Sequence, residues 1–479
     1  MQLVSVEPRG VGALAPVLGE ADTARHERAV EGLRQVLDGR TTWHVNSTAQ
    51  GGGVAEILSS LLPYELGAGI DVRWAVIDAK PEFFEITKRI HNHLHDVAGD
   101  GGSLSEQERS VYLRGLAFEV VDLLKVVAPG DVVVLHDPQT AGLIGPLREH
   151  GAVVVWRCHV GTDRPGPEAR IAWDFLRPDV AGADALIFSR PAYVWDGLPP
   201  EKVVVIPPCI DVTSAKNQLL DVGTRDAILV AAGIVAPDGS DVAPGAGAAA
   251  PPRYVGADGH THEVERRADI VEDAPVPADA ELVVQVSRWD RLKDPVGVLA
   301  GFAAYGPLDG AHLVLAGPAL GEVADDPEGT EVYAEVRAAW EALPPAVRQR
   351  SHLVNLPMDD LDENAAMVNA LQRRADVVVQ KSLAEGFGLT VAEAMWKRRP
   401  VVASRVGGIQ DQVVDGESGL LLDPPTDLAA FGAEVADLLG DDDRARRMGE
   451  AAHDRVRSHY LPHHHFEAEA VLYHHLLTG

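Results

Sequence analysis

Short apolar runs rich in valine and isoleucine, each closed by Gly, Pro, Asp or His, recur along the chain and predict strands buried on both faces. In the first half they fall at Thr42–Asn46, Asp71–Ile77, Asp131–Leu135, Ala152–Trp156, Ala185–Ser189 and Lys202–Ile206. In the second half they fall at Glu281–Ser287, Ala311–Ala316, His352–Leu356, Val377–Gln380 and Val401–Ser404. Between them the apolar positions shift to helical spacing, as at Val54–Leu62, Phe83–Leu94 and Leu389–Lys397. Strands alternating with helices imply parallel sheets covered on both faces, and such sheets bind ligands at the carboxyl ends of their strands. Residues 1–40 read as a lead-in with one amphipathic helix around Arg25–Leu37, and Asp442–Leu477 reads as helices. Paired prolines at Pro207-Pro208 stiffen what looks like a connection between a domain of residues 1–210 and one of 211–455. Residues 235–280 break the rhythm: a stretch rich in Gly, Ala and Pro reads as a loop and precedes a hairpin around Ala257-Asp258-Gly259.

The stretch from Val377 to Gly419 carries the densest chemistry. After its first strand come Glu385, Gly386, Phe387, Gly388 and Leu389, then Glu393 about one turn into the helix. Amides at a helix start favour an anion, whereas the two carboxylates are suited to accept hydrogen bonds from hydroxyls. The ligand that satisfies both is anionic and polyhydroxylated, as a nucleotide sugar is. Arg288 and Lys293 follow another predicted strand, and a guanidinium fork beside a point charge suits a diphosphate. Their cationic character stands out because acidic residues exceed basic ones by 72 to 42, a net charge of −30, which argues against nucleic acid and anionic membrane as partners. In the first half, Asn46 ends a strand and Gly51, Gly52 and Gly53 open the following helix, a turn where backbone can approach a ligand closely. His136 with Asp137, and Arg157 with His159, fall just past two further strands. Of these, His159 is the sharper candidate, since an imidazole at a strand tip can donate to a sugar oxygen or hold a proton near neutral pH.

Taken as whole words, EGFGLTVAEAM, VNALQRRADVVVQKSLAEGFGLTVAEAMWK, HVNSTAQGGGVAEIL and SRWDRLKD resemble the retaining glycosyltransferases of the family-four type, and within them the trehalose glycosyltransferring synthases. The resemblance implies the GT-B fold, two Rossmann-like α/β domains with parallel sheets facing a central cleft, with a final helix at about 456–479 packing back on the first domain and residues 235–280 as an insertion relative to the family. It implies transfer of glucose from ADP-, UDP- or GDP-glucose to glucose with retention at the anomeric carbon, giving trehalose. In it Gly52, Gly53, Arg288, Lys293, Glu385, Gly386, Phe387, Gly388, Leu389 and Glu393 hold the donor. Asn46, Gly51, His136, Asp137, Arg157 and His159 meet the acceptor, and the catalytic set is Glu385, His159, Arg288 and Lys293. Gly407-Gly408-Ile409 is either a diphosphate contact or a plain turn, and Val368–Leu371 resembles the family segment beside the base.

No cofactor is expected, and no metal, because the cations and helix amides can neutralise the phosphates and His463-His464-His465 shows no carboxylate at ligand spacing. With no cationic start followed by an apolar core, no long apolar run and only Cys158 and Cys209, a cytoplasmic protein without disulfides is expected. A homodimer is left open. A retaining trehalose phosphorylase, a glucosyltransferase with another small acceptor and a silent sugar-nucleotide binder remain as alternatives.

Overall fold

Valine, leucine and isoleucine fill both faces of the central strands, as a parallel sheet sandwiched between helices requires. The computed structural model, described for residues 1–49, 52–237, 251–305, 310–320 and 328–479, gathers these strands into two seven-stranded sheets. The chain divides into two units, Met1–Asp211 with Tyr460–Gly479, and Val212–His459.

The first unit contains β1 (Gln2–Val4), β2 (Thr42–Asn46), β3 (Val72–Val76), β4 (Val132–His136), β5 (Val153–Cys158), β6 (Ala185–Phe188) and β7 (Val203–Val205), in the order β1-β3-β2-β4-β5-β6-β7. From β2 onward the chain winds first one way, to β3, and then the other, through β4 to β7. The reversal lies between β2 and β4, so Asn46 and His136, their last residues, stand at the topological switch point where such sheets place ligands. The core beneath is apolar and closely filled, with Trp43, Val133, Leu135 and Trp156 all fully buried. The last helix, Pro462–Thr478, packs along Glu20–Val36, and the Phe466 ring sits against His26 and Tyr64 with centroids 5.6 and 6.3 Å apart.

The second unit opens with a helix, Val222–Ala231, and then forms a hairpin of β8 (Arg253–Val255) and β9 (Thr261–Glu263). Its sheet contains β10 (Asp269–Val271), β11 (Leu282–Val286), β12 (His312–Pro318), β13 (Ser351–Leu356), β14 (Val377–Gln380), β15 (Val401–Ser404) and β16 (Leu420–Leu422), ordered β10-β13-β12-β11-β14-β15-β16. Here the reversal lies between β11 and β14. The loops after those two strands carry Arg288 and Lys293 on one side and Glu385 on the other.

Several expectations need correction. The lead-in is not free of the sheet, because Gln2–Val4 pairs antiparallel with β3 as an edge strand. The hairpin in 235–280 is present, but the same segment also supplies β10, antiparallel to β13 and anchored by Glu363, whose Oε1 accepts the Glu265 and Arg266 amides at 2.6 and 2.7 Å. Residues 238–250 of that segment lie outside the described residues. The helix expected to stop before Pro63 runs from Gly53 to Gly67. Strand β5 continues through Arg157 and Cys158, so Arg157 is a strand residue paired with Ile187 and not a loop residue beyond the strand end.

Candidate active site

In the second unit, Gln285 near the end of β11 donates to the Lys293 carbonyl at 3.0 Å and shapes the loop that carries the cations. Leu383 N donates to the Leu292 carbonyl at 2.7 Å, stitching that loop to the one after β14. The stitch sets Lys293 Nζ 2.6 Å from Glu385 Oε2, with the two side chains 17% and 11% exposed. Ser382 Oγ donates to the same carboxylate oxygen at 3.3 Å. Lys381, wholly buried, pairs with Asp294 and braces the loop from below. Arg288 lies 3.5 Å from Asp290 and is 40% exposed, so its guanidinium reaches solvent while remaining anchored.

The elbow after Glu385 depends on its glycines. Gly388 has φ +83, and a Cβ there would meet Ile409 at 2.8 Å and Glu385 Cγ at 3.2 Å. Gly408 packs against the elbow from the next loop: its amide donates to the Gly386 carbonyl at 2.9 Å, and a Cβ on it would come within 2.7 Å of Phe387 Cα. Gly408 is therefore small because a side chain there would strike the Phe387 backbone. Gln412 adds a bond to the Phe387 carbonyl at 2.5 Å. No side chain caps the helix Leu389–Trp396, so its first turn points its amides into the elbow. Glu393 is buried and sits 2.8 Å from Lys216 Nζ, a partner that sequence reasoning missed. Asn369, in the segment expected beside the base, instead donates to the Ala215 and Gln218 carbonyls at 3.0 and 2.9 Å, holding the stretch that carries Lys216.

In the first unit, Asn46 is buried, accepting from Trp74 Nε1 at 2.8 Å and donating to the Thr48 carbonyl at 2.7 Å. Gly52, with φ +91, precedes the helix Gly53–Gly67, which has no side-chain cap, and a Cβ on Gly52 or Gly53 would meet no described atom within 4 Å. Gly51 lies outside the described residues. Asp137 takes φ +62, rare for a residue with a Cβ, and from there its Oδ1 accepts the His159 amide at 2.7 Å. Burial pushes this carboxyl up to about 7. The imidazole of His136 stands between those of His44 and His159, 3.1 Å from each. Burial, together with neighbouring imidazoles and the Arg157 guanidinium, holds His136 and His159 well below the usual histidine range.

Arg157 does not point toward these groups' open side. It is buried, donates to the Ile206 carbonyl at 3.4 Å, and lies 3.0 Å from His465 Nε2 of the last helix. His465 in turn stands 3.0 Å from Glu469, so a carboxylate does occur four residues on from the histidine run, contrary to expectation. Arg157 occupies the remaining side, and no group of three metal-capable side chains occurs among the described residues. Burial opposes the charge on Glu469, yet His465 and Arg157 hold it below the ordinary carboxylate range. Glu65 is driven far the other way, by burial and by that same charge. His44, Lys216, Glu65 and Glu469 were not among the candidates of the sequence; a histidine between the buried Trp43 and Val45 was the available signal for His44.

The profile described as "Trehalose synthase, N-terminal domain" matches residues 44–195, and that described as "Glycosyl transferases group 1" matches residues 267–455. The trehalose synthase of Rubrobacter xylanophilus is 35% identical over 429 residues, spanning 89% of this chain and 88% of that protein. The chain belongs to the trehalose synthase family of glycosyltransferases. The trehalose synthase of Pyrococcus horikoshii is 34% identical over 454 residues, 94% of this chain and 92% of its own. An α,α-trehalose-phosphate synthase (UDP-forming) from Burkholderia vietnamiensis superposes with a TM-score of 0.63 at 15% identity, over 91% of this chain and 97% of that one, and agrees with the GT-B fold. The enzyme has no helix, among the described residues, long and apolar enough to cross a membrane.

Proposed function

We propose that this glycosyltransferase moves glucose from a nucleoside-diphosphate glucose, whether ADP-, UDP- or GDP-glucose, to free glucose and forms trehalose with retention at the anomeric carbon. The observation that carries the reading is the Lys293–Glu385 pair, 2.6 Å apart at the switch point of the second sheet. Arg288, Lys293 and the amides of Gly386 to Leu389 serve the diphosphate, while Glu385 and Glu393 accept from the hydroxyls of the donor sugar and the ribose. Gly52 and Gly53 offer a second set of helix-start amides. In the first unit, His159, with Asp137, Asn46 and His136, meets the acceptor; Arg157 supports these groups from the interior.

The chemistry is written as a front-face exchange, the route that the family resemblance implies. The bond from the anomeric carbon to the phosphate oxygen breaks, that carbon bonds to the acceptor hydroxyl oxygen on the same face, and the hydroxyl proton passes to the departing phosphate. Charge grows on the phosphate as the bond breaks, so fixed cations there lower the barrier.

The test is to incubate the enzyme with glucose and each of the three nucleotide sugars and to identify any disaccharide and its linkage. Formation of α,α-trehalose from one or more donors is the expected result. Trehalose formed only from glucose 1-phosphate, or broken down only with inorganic phosphate, would mark a phosphorylase and overturn the proposal, as would transfer to a different small acceptor alone.

A further inference from the structure

Three imidazoles stand in line on one face of the first sheet. His44 pairs in register with Val134 on β4, which places it on the same face as His136 two residues further on. His44 Nδ1 is 3.1 Å from His136 Nε2, and His136 Nδ1 is 3.1 Å from His159 Nε2. Both ring pairs are stacked with centroids 5.4 Å apart, at interplanar angles of 27° and 17°. The two end atoms, His44 Nε2 and His159 Nδ1, are buried and have no hydrogen-bond partner among the described residues.

A neutral imidazole carries one N–H and one bare nitrogen, so each ring in such a line dictates the next. If His44 donates from Nδ1, His136 must accept at Nε2 and donate from Nδ1; His159 then accepts at Nε2 and presents Nδ1–H. In the opposite register all three rings carry the proton on Nε2, and His159 presents a bare Nδ1. The groups around the line keep it neutral. Burial first, then Arg157 and His465, pull His44 down to about 4 despite the opposing charge of Glu469, and His136 and His159 are lowered by burial and the same cations. Asp137, which faces His159 through its backbone amide, is itself raised to about 7 by burial.

A second stack gives the contrast. His312 Nδ1 lies 2.9 Å from His352 Nε2, and His352 Nδ1 lies 2.8 Å from Glu272, at the amino ends of β12 and β13 where these sheets do not bind ligands. There a carboxylate pins the tautomers from one end. The line in the first unit has no carboxylate at either end: His44 Nε2 and His159 Nδ1 are both buried without a partner among the described residues, the latter next to His136 at the switch point.

We infer that His44 is a positioning residue for glucosyl transfer: through His136 it fixes His159 as the tautomer that presents Nδ1–H to a sugar oxygen. The inference rests on the reading that His159 meets a sugar. The donor register is the one the chemistry calls for, because the reaction's proton already has a destination in the leaving phosphate. What the site then needs from His159 is a fixed donor and not a base.

Histidine-selective ¹⁵N labelling of the enzyme at neutral pH tests this directly, with the three signals assigned by their loss in single variants. Nδ1–H tautomers at His44, His136 and His159 together are expected; an Nε2–H tautomer or a mixture at His159 overturns the inference, and this measurement needs no variant to be active. In kinetics, His44→Leu is expected to lower kcat by roughly ten- to a hundredfold, taking as guide the range for the hydrogen-bond partner of a metal-bound histidine, with the nucleotide-sugar KM little changed. The acid limb of its pH profile should also move up toward the ordinary histidine range, because one of the neighbours depressing His136 is gone. His44→Asn, whose carboxamide can still donate to His136 Nε2, should recover most of the rate. A folded His44→Leu enzyme with wild-type kcat and an unmoved pH profile overturns the inference. His159→Ala separates the two levels: wild-type turnover in that variant overturns the reading of His159 itself.

Discussion

Replacing Lys293 with Met separates a catalytic from a structural role for the Lys293–Glu385 pair. The ammonium lies 2.6 Å from the carboxylate and both side chains are mostly but not wholly buried, at 17% and 11% exposure. A charge-assisted bond in that setting contributes about 1.5–3 kcal/mol to stability, and residual exposure favours the lower end. Leaving the Glu385 carboxylate without the Lys293 ammonium can raise the cost to about 3–5 kcal/mol, so against the 5–15 kcal/mol typical of a folded domain the variant stays folded except at the bottom of that range. Loss of one fixed group facing developing charge costs about a hundred- to a thousandfold in kcat, or about 2.7–4 kcal/mol of barrier. Activity should therefore fall far more than folding does. The assay is initial-rate release of nucleoside diphosphate at saturating donor and glucose, alongside urea unfolding of the same preparations. Adding Glu385→Gln should restore part of the stability, since the lone buried carboxylate is gone, without restoring turnover. The reasoning is refuted if Lys293→Met keeps kcat within a few-fold of wild type while its unfolding midpoint drops, because the pair would then be a structural tie only.

Asp137→Asn tests the raised carboxyl, whose value of about 7 lies above the ordinary 3.8. The native state binds the extra proton, so wild-type stability should fall as pH rises through the window from about 4 to about 7, by on the order of 4 kcal/mol, and level off above it; Asn, which also tolerates positive φ, should flatten that slope in urea titrations. Gly388→Ala should cost at least about 1–2 kcal/mol for its left-handed backbone and should weaken donor binding as well, because the new methyl presses on Glu385; unchanged KM for the nucleotide sugar would count against the elbow as a donor site. Glu363→Ala should destabilise the second unit by about 1–3 kcal/mol by removing the buried carboxylate that accepts from two backbone amides, measurable by unfolding, with little effect on kcat in the folded protein.

The sequence made the inner strands legible because burial on both faces leaves a continuous valine-rich signature. The three-residue edge strands Gln2–Val4, Asp269–Val271 and Leu420–Leu422 carry no such signature, since they are short and paired on only one side. The donor loop was legible because its glycines and charges form an unbroken word. The first-unit groups were less so. Arg157 looked like a loop residue because β5 was ended where its apolar run ends, while the strand continues with a polar residue neutralised by a helix more than three hundred positions away, the Arg157–His465 separation being 308. Likewise His44 drew no notice inside TWHVN, because its importance lies in a cross-strand neighbour and not in its own surroundings along the chain.

The last helix also bears on how the protein is made. Arg157 sits in the first unit's interior, yet the side chains that compensate it, His465 and Glu469, are translated only after all of Val212–His459. During vectorial synthesis the first sheet must wait on the ribosome with an unneutralised guanidinium beneath it, while the second unit, which is continuous, can complete itself first. An expression fragment ending at Asp211 should accordingly be aggregation-prone, and supplying Tyr460–Gly479 as a separate peptide should rescue its solubility.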